Sequence, residues 1–407
     1  MIQSGLSQFQ GKRVILLQGP IGPFFARLAS DLRAAGATVY KINFNGGDWL
    51  FYHKNSVNFK QPIETWPAFF ETFVQKHNID VVFLFGDCRP IHKAAHAIAT
   101  KHNLDIGVFE EGYIRPNYIT LERYGVNANS TIPQLADFYA NLQDTGKKNS
   151  QTIDKTFGFA ALWGMLYNTA STLATPYFWH YQHHKSLSIW QGLYWIRSFW
   201  RKWLYAFQQK NELQMLTTKY SKKYFLVPLQ VHNDAQIHHH SDFFSVEAFI
   251  SEVINSFAMH APADNFLVIK HHPMDRGFNH YGKLIKVICQ KNRALKNRLH
   301  YVHDLHLPTL LNHAKGVVVV NSTVGLSALD HLCPVVTCGN AIYDIEGLTY
   351  QGGVHAFWKA APSFKVDQNL HYKFINQLVL GSQINGNFYK RLQRAQNKAG
   401  IYWPNGD

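Results

Sequence analysis

The stretch Gly316-Val-Val-Val-Val-Asn-Ser322 sets the tightest limit on what this chain can become. Four successive valines favour extended backbone, because a β-branched side chain is stiff next to its own main chain. A run apolar on both faces has to be buried on both faces. That condition is met in a parallel sheet covered by helices, not in a sheet with one wet side. Runs of the same kind recur at 13–18 (RVILLQ), 37–44 (ATVYKINF), 79–86 (IDVVFLFG), 104–112 (LDIGVFEEG), 223–230 (KYFLVPLQ), 265–273 (NFLVIKHHP) and 334–339 (PVVTCG). Between them lie segments of helical period, such as TWPAFFETFVQKHN, RPIHKAAHAIATKHN and SVEAFISEVINSFAMH. The alternation occurs once in each half of the chain without a sequence repeat. It predicts an α/β protein of two Rossmann-like domains.

With 407 residues the chain is long for one ordinary domain and comfortable for two. The expected boundaries are 1–140 for an N-terminal Rossmann-like domain, 141–215 for a helical aromatic and basic insertion, 216–385 for a second Rossmann-like domain, and 386–407 for a C-terminal helix or tail. Charged residues make up 16% and hydrophobic ones 46%, which excludes a disordered chain. Lys and Arg exceed Asp and Glu by 40 − 26 = 14, so anionic partners are expected. The basic residues are scattered rather than in one run, which argues against nucleic acid. Cys88, Cys289, Cys333 and Cys338 form no CxxC pair and read as free thiols of a reducing compartment. The opening MIQSGLSQFQGKRVILLQ lacks the pattern of a secretory signal, and a cytoplasmic protein is expected.

The insertion has two parts. Thr156–Trp179 holds no charge, but Asn168, Thr169, Ser171, Thr172, Thr175 and Pro176 interrupt it, against a membrane span. From Leu187 to Phe207, Trp190, Leu193, Ile196, Trp200, Trp203, Leu204 and Phe207 recur at helical spacing beside Arg197, Arg201 and Lys202. Two readings stand: an interfacial membrane helix, or a helix packed in the cleft between domains.

Ligands of open α/β sheets sit beyond the carboxyl ends of strands, which points to five places. In LQGPIGPFF (17–25), Gly19 and Gly22 either let the backbone approach a ligand at a helix start or make a plain tight turn. It is not the GxGxxG fingerprint, so a dinucleotide is not expected. In FGDCRPIH (85–92), Asp87, Arg89 and His92 face the cleft, or Asp87 caps the next helix. Glu110 and Glu111 end a strand on opposite faces, so one is expected to be structural and one reactive; the alternative is a surface turn, EEG, against which the apolar Val108 and Phe109 argue. Lys270, His271, His272 and Pro273 follow an apolar strand and suit a phosphate. Adjacent histidines diverge and make poor co-ligands, so no metal is expected there or at HHH 238–240. Asn321, Ser322 and Thr323 precede a helix and form a cap or an anion site, with Gly325 leaving room for a ligand. Gln230 and Asp234 stand at another strand end.

The pieces EEGYIRPN (110–117), PLQVHNDAQI (228–237), KHHP (270–273), NSTVGLSALDHLCPVVTCG (321–339) and YDIEGLTYQG (343–352) together resemble the capsule polysaccharide biosynthesis family, retaining β-Kdo transferases of Gram-negative bacteria. The resemblance covers most of the chain. QGPIGPFF looks most like the member that starts the lipid-linked Kdo primer. It implies a GT-B-like fold, two Rossmann-like domains facing a central cleft. It implies CMP-Kdo as donor, a phosphatidylglycerol-type lipid at an anionic membrane surface as acceptor, and no cofactor or metal. It implies a peripheral place on the inner face of the inner membrane, beside other capsule biosynthesis and export proteins. Where related members read Glu-Asp-Gly with Asp as proposed nucleophile, this chain has Glu111, a carboxylate one methylene longer. His272, Ser322 and Thr323 match the residues that hold the nucleotide phosphate. Arg115 is a candidate for the Kdo carboxylate, or else a partner of Glu110. Two alternatives are another CMP-sugar transferase of the sialyl type and a non-catalytic assembly or lipid-binding factor.

Overall fold

A computed structural model describes residues 5–143, 150–153, 156–181, 191–232 and 241–403, with backbone alone at 191–193 and 195–196. Trp190, Asp234 and the histidines at 238–240 lie outside the described residues. The chain divides into two compact units: Met1–Thr131, Thr145–Ser188 and Ile375–Asp407 form one, Ile132–Asp144 and Ile189–Phe374 the other.

The first unit is built on seven strands: β1 (Arg13–Leu16), β2 (Thr38–Asn43), β3 (Val57–Asn58), β4 (Val81–Phe85), β5 (Asp105–Glu111), β6 (Tyr118–Arg123) and β12 (Gln383–Asn385). Their order is β12-β6-β5-β4-β1-β2-β3. The neighbours from β5 to β3 pair in parallel; β6 runs antiparallel to β5, and β12 antiparallel to β6. The continuous apolar runs explain the layers. Ile15, Leu17, Val82, Leu84, Ile106 and Val108 feed one core, while Val14, Leu16, Phe83 and Phe109 feed another. This is the two-residue period of strands covered on both faces. Each such fully buried side chain stabilises the fold by about 1.5–3 kcal/mol.

The second unit carries β7 (Tyr224–Pro228), β8 (Phe266–Lys270), β9 (Leu299–Val302), β10 (Gly316–Val319) and β11 (Val335–Thr337). All are parallel, in the order β11-β10-β7-β8-β9. Val317, Val318, Val319 and Val320 are at most 2% exposed, as the four-valine run demands. Both sheets are open and have the Rossmann kind of strand order, with the first strand inside the sheet.

The partition corrects the expected boundaries. Residues 141–215 are no unit of their own: 145–188 fold with the N-terminal sheet and 189–215 with the second. The described part of 386–407 is not a helix. It returns to the first sheet, where Phe388, Ile401 and Trp403 join Ile384 in the core. Phe388 packs on Phe24 with ring centres 4.9 Å apart, and Asp31 accepts bonds from the amides of Lys398 (2.7 Å) and Ala399 (2.6 Å).

The uncharged stretch becomes the helix Phe157–Leu173, laid against the short helix Gly46–Phe51. The approach is close enough to require glycine: a Cβ on Gly46 would stand 2.2 Å from the Ala170 carbonyl oxygen, and one on Gly47 2.5 Å from the Tyr167 ring. Among the described residues no helix is long and apolar enough to cross a membrane.

Candidate active site

An open α/β sheet has one crevice where its strand connections diverge to opposite sides, beyond the carboxyl ends of two adjacent strands. In the first unit these are β1 and β4. The chain fills that place with its own side chains. Gln18 follows β1; its Oε1 accepts from Arg89 Nη1 at 2.8 Å, and its Nε2 donates to Asp48 Oδ2 at 3.1 Å and to the Tyr181 hydroxyl at 3.0 Å. Tyr167, from the uncharged helix, donates to Asp48 Oδ1 at 3.0 Å and accepts from Asn45 Nδ2 at 2.8 Å. Lys41 is buried beside them and donates to the carbonyls of Leu17 and Ile42; burial pushes its pKa down to about 8. Of the polar residues that break up 156–179, Ser171 docks in this network beside Tyr167: the Gly47 amide donates to Ser171 Oγ at 3.0 Å.

In the second unit the corresponding strands are β7 and β10. Gln230 and Asn321 stand at their ends, and Gln230 Nε2 donates to Asn321 Oδ1 at 3.1 Å. Ser322 Oγ accepts from the Val324 amide at 3.2 Å, whereas Thr323, at the N-cap position of the helix Val324–Asp330, makes no side-chain cap bond. On the other side of β7, the register pairs Pro228 with Lys270, and the chain runs on through His271 and His272. Pro273 opens a 3-10 turn, Pro273–Asp275. That turn brings the Met274 amide 3.2 Å from His272 Nδ1. A ring that accepts at Nδ1 carries its proton on Nε2 when neutral, so His272 is an N–H donor at Nε2. Lys270 is 8% exposed and, among the described residues, its ammonium has no hydrogen-bond partner. Burial pushes its pKa down, partly offset by Asp304. A nearly buried cation without a bonded partner is a ready site for an anion.

Not every residue proposed from sequence joins this edge. His271 turns inward and is 2% exposed, sharing a hydrogen bond with the Tyr301 hydroxyl at 2.8 Å. Burial pushes its pKa down to about 4, so it is a neutral core histidine. Gly325 leaves no room for a ligand. A Cβ there would lie 2.1 Å from the Tyr343 hydroxyl, which itself donates to the Ser322 carbonyl at 2.5 Å. Gly19 and Gly22 are packing glycines as well, facing the rings of Phe25 and Trp163, and Gly22 has φ +107°. Asp87 does not cap the following helix; it accepts from the Val126 amide (3.1 Å) and Asn129 Nδ2 (3.0 Å). His92 is buried, its Nδ1 2.6 Å from the Gly86 carbonyl, and burial pushes its pKa down to about 3.

The two glutamates separate as strand geometry requires. Glu110 bends back to its own backbone, its Oε1 accepting from the Glu111 amide at 2.9 Å. Burial, before all else, pushes its pKa up to about 7. Glu111 lies on the opposite face, where the Tyr389 hydroxyl donates to its Oε1 at 2.7 Å. Tyr389 titrates well above the ordinary tyrosine range, first by burial and then by the Glu111 charge, so it remains a hydroxyl donor. Arg115 is exposed and donates through Nε to the Gly112 carbonyl at 3.2 Å; its charge acts on Glu110 against the upward push of burial.

Three residues with a place here were not read from sequence. Tyr389 sits 278 positions from Glu111, and nothing local marks it. His232 and Asp275 bond at 2.5 Å through Nδ1 and Oδ1, and Asp275, fully buried, also accepts from Tyr281 at 3.0 Å. His232 lies in PLQVHNDAQI, where the His was the available signal, and Asp275 stands two residues beyond KHHP. Among the described residues no group of His, Cys, Asp and Glu side chains is arranged to hold a metal ion.

The family described as capsule polysaccharide biosynthesis protein matches residues 80–389. The capsule polysaccharide export protein KpsS of Escherichia coli is 42% identical over 385 residues, covering 93% of this chain and 97% of that one. The capsule polysaccharide modification protein LipB of Neisseria meningitidis serogroup A is 39% identical over 389 residues, covering 94% and 92%. Among solved structures, the β-Kdo 2,7 transferase KpsC of Thermosulfurimonas dismutans is similar at 16% identity over 89% of each chain, with a TM-score of 0.42.

Proposed function

This chain belongs to the capsule polysaccharide biosynthesis protein family, and from that premise we propose that it is a glycosyltransferase. The reading is transfer of Kdo from CMP-Kdo to a phosphatidylglycerol-type lipid with retention, the first step of a poly-Kdo linker, at the inner face of the inner membrane beside other capsule proteins. One observation carries it: the first sheet's crevice is filled by Gln18, Asp48, Tyr167 and Tyr181, whereas the second sheet's edge gathers Lys270, His272, Gln230, Asn321 and Ser322. This contrast supports a reading in which the second unit binds the nucleotide.

In this reading His272 Nε2–H and the Lys270 ammonium take up the charge of the departing CMP phosphate. A single phosphodiester asks for less neutralisation than a diphosphate, so no metal is needed. Glu111, kept as an acceptor by the Tyr389 hydroxyl, attacks the anomeric carbon as the CMP oxygen leaves. The acceptor hydroxyl then displaces the Glu111 carboxylate from the other face, its proton passing to solvent, and two inversions give retention. Glu110 is a positioning residue that holds the Glu111 amide. Arg115 is the candidate for the Kdo carboxylate.

The test is incubation with CMP-Kdo and a short-chain phosphatidylglycerol, followed by mass spectrometry of the lipid. A product heavier by one Kdo, absent with Glu111→Gln and undiminished by EDTA, is expected. The names of the relatives, export and modification proteins, favour a second reading, a non-catalytic assembly factor. That reading requires Glu111→Gln to support capsule formation in cells as well as the parent does.

A further inference from the structure

The helix Gln191–Gln208 of the second unit has one face fixed and one face bare. On the fixed side, Arg276 Nε donates to the Ser198 carbonyl at 2.9 Å, Arg201 Nη1 donates to the Arg276 carbonyl at 2.7 Å, and Tyr205 stacks on His303 with ring centres 3.6 Å apart. At 3.6 residues per turn, Phe199, Trp200, Trp203 and Phe207 stand on the opposite side. They are 65%, 71%, 67% and 81% exposed. Four neighbouring aromatic rings in water make a patch of the kind that marks an interaction surface.

The charge around the patch selects its partner. Residues 191–210 contain no Asp or Glu but contain Arg197, Arg201, Lys202 and Lys210. Arg201 is tied to the Arg276 carbonyl; Arg197 and Lys202 are exposed and border the aromatic face on its two sides. A purely apolar protein partner gives no reason for an all-basic rim. Trp and Phe between Arg and Lys fit a layered partner that is apolar inside and anionic at its surface.

We infer that this face docks on an anionic lipid surface. The helix lies in the plane of the headgroups, with Trp200 and Trp203 at the boundary of the acyl chains and Arg197 and Lys202 among the phosphates. This docking does not rest on the transfer reaction, and it is measured without any donor sugar.

The experiment is sedimentation of the full chain with vesicles of pure phosphatidylcholine, or of phosphatidylcholine with one third phosphatidylglycerol. Binding to the mixed vesicles, weaker on pure phosphatidylcholine by roughly tenfold or more, is expected. Trp200→Ser with Trp203→Ser should weaken it by roughly tenfold or more, with melting temperature and CMP binding unchanged. Arg197→Glu with Lys202→Glu should abolish the preference for phosphatidylglycerol. No binding, or equal binding by the Trp variant, overturns the inference. So does self-association that disappears in the Trp variant, which would make the face a contact between copies of this chain.

Discussion

The Tyr389 hydroxyl donates to Glu111 Oε1 at 2.7 Å, joining the end of the fifth strand to a segment 278 residues later. The bond supplies a neutral donor to a carboxylate that would otherwise rely on water. A hydrogen bond to a charged group contributes about 1.5–3 kcal/mol. Tyr389→Phe is therefore expected to slow transfer by roughly ten- to a hundredfold, with donor KM nearly unchanged. Glu111→Gln should remove nearly all turnover while the melting temperature holds. CMP release measures both, and equal rates for Tyr389→Phe and parent would contradict the assigned role.

His271 and His272 are neighbours with opposite fates, and substitution should separate them. His272→Ala is expected to weaken CMP binding by about tenfold, the value of one charge-assisted hydrogen bond, without lowering the melting temperature. His271→Ala opens a hole in the core beside Tyr301 and should cost about 1–3 kcal/mol of stability. Calorimetry with CMP and thermal melts distinguish them; the reverse pattern would exchange their roles.

Burial pushes both Glu110 and Glu122 up to about 7 from an ordinary value of 4.5. Below 4.5 both states of the chain are protonated at these groups. Between 4.5 and 7 the folded state keeps a proton that the unfolded state has lost, so their contribution to stability falls as pH rises and levels off above 7. The buried His92, His271 and His303, pushed down to about 3, 4 and 3, act in the opposite sense below their ordinary 6.5. Comparing the parent with Glu110→Gln/Glu122→Gln cancels the histidines. The variant's relative melting temperature should rise from pH 4.5 to 7 and then stay level. A difference that ignores pH would refute the protonation assigned here.

Gly46→Ala should act as an overpacking change far from the proposed chemistry. The new Cβ meets the Ala170 carbonyl at 2.2 Å, and a misfit of that kind costs about 1–3 kcal/mol. For a folding unit the size of the first one, each kcal/mol lowers the melting temperature by about 2–4 °C. A melt at the parent's temperature would show that the helix Phe157–Leu173 is not held as described.

The sheets were legible because their strands are apolar on both faces, and Val317–Val320 have no other place to go. The polar edge of the second sheet was partly legible: Lys270 ends one such strand, and His272 and Ser322 lie two and three residues beyond theirs. Composition misled at 141–215, where missing charge and many aromatics suggested a separate insertion. There Tyr167 and Ser171 carry the docking, and two polar residues in a long apolar stretch are a faint signal. Gly325 and Gly19 misled for another reason. A glycine after a strand signals close approach, but sequence does not say whether a ligand or a neighbouring ring approaches. Tyr389 was invisible because its partner is distant in the chain.

The return of residues 375–407 to the N-terminal sheet bears on how the protein is made. The polypeptide passes between the two units at residues 131, 144, 188 and 374. During synthesis the first unit therefore waits, with the free edge of Tyr118–Arg123 and the pocket for Phe388, Ile401 and Trp403 open, until the ribosome has finished the second. A message broken shortly after codon 374 would release a chain with a complete second sheet and a first one that exposes both an unpaired strand and its apolar core, a substrate for chaperones and proteases rather than a half-enzyme.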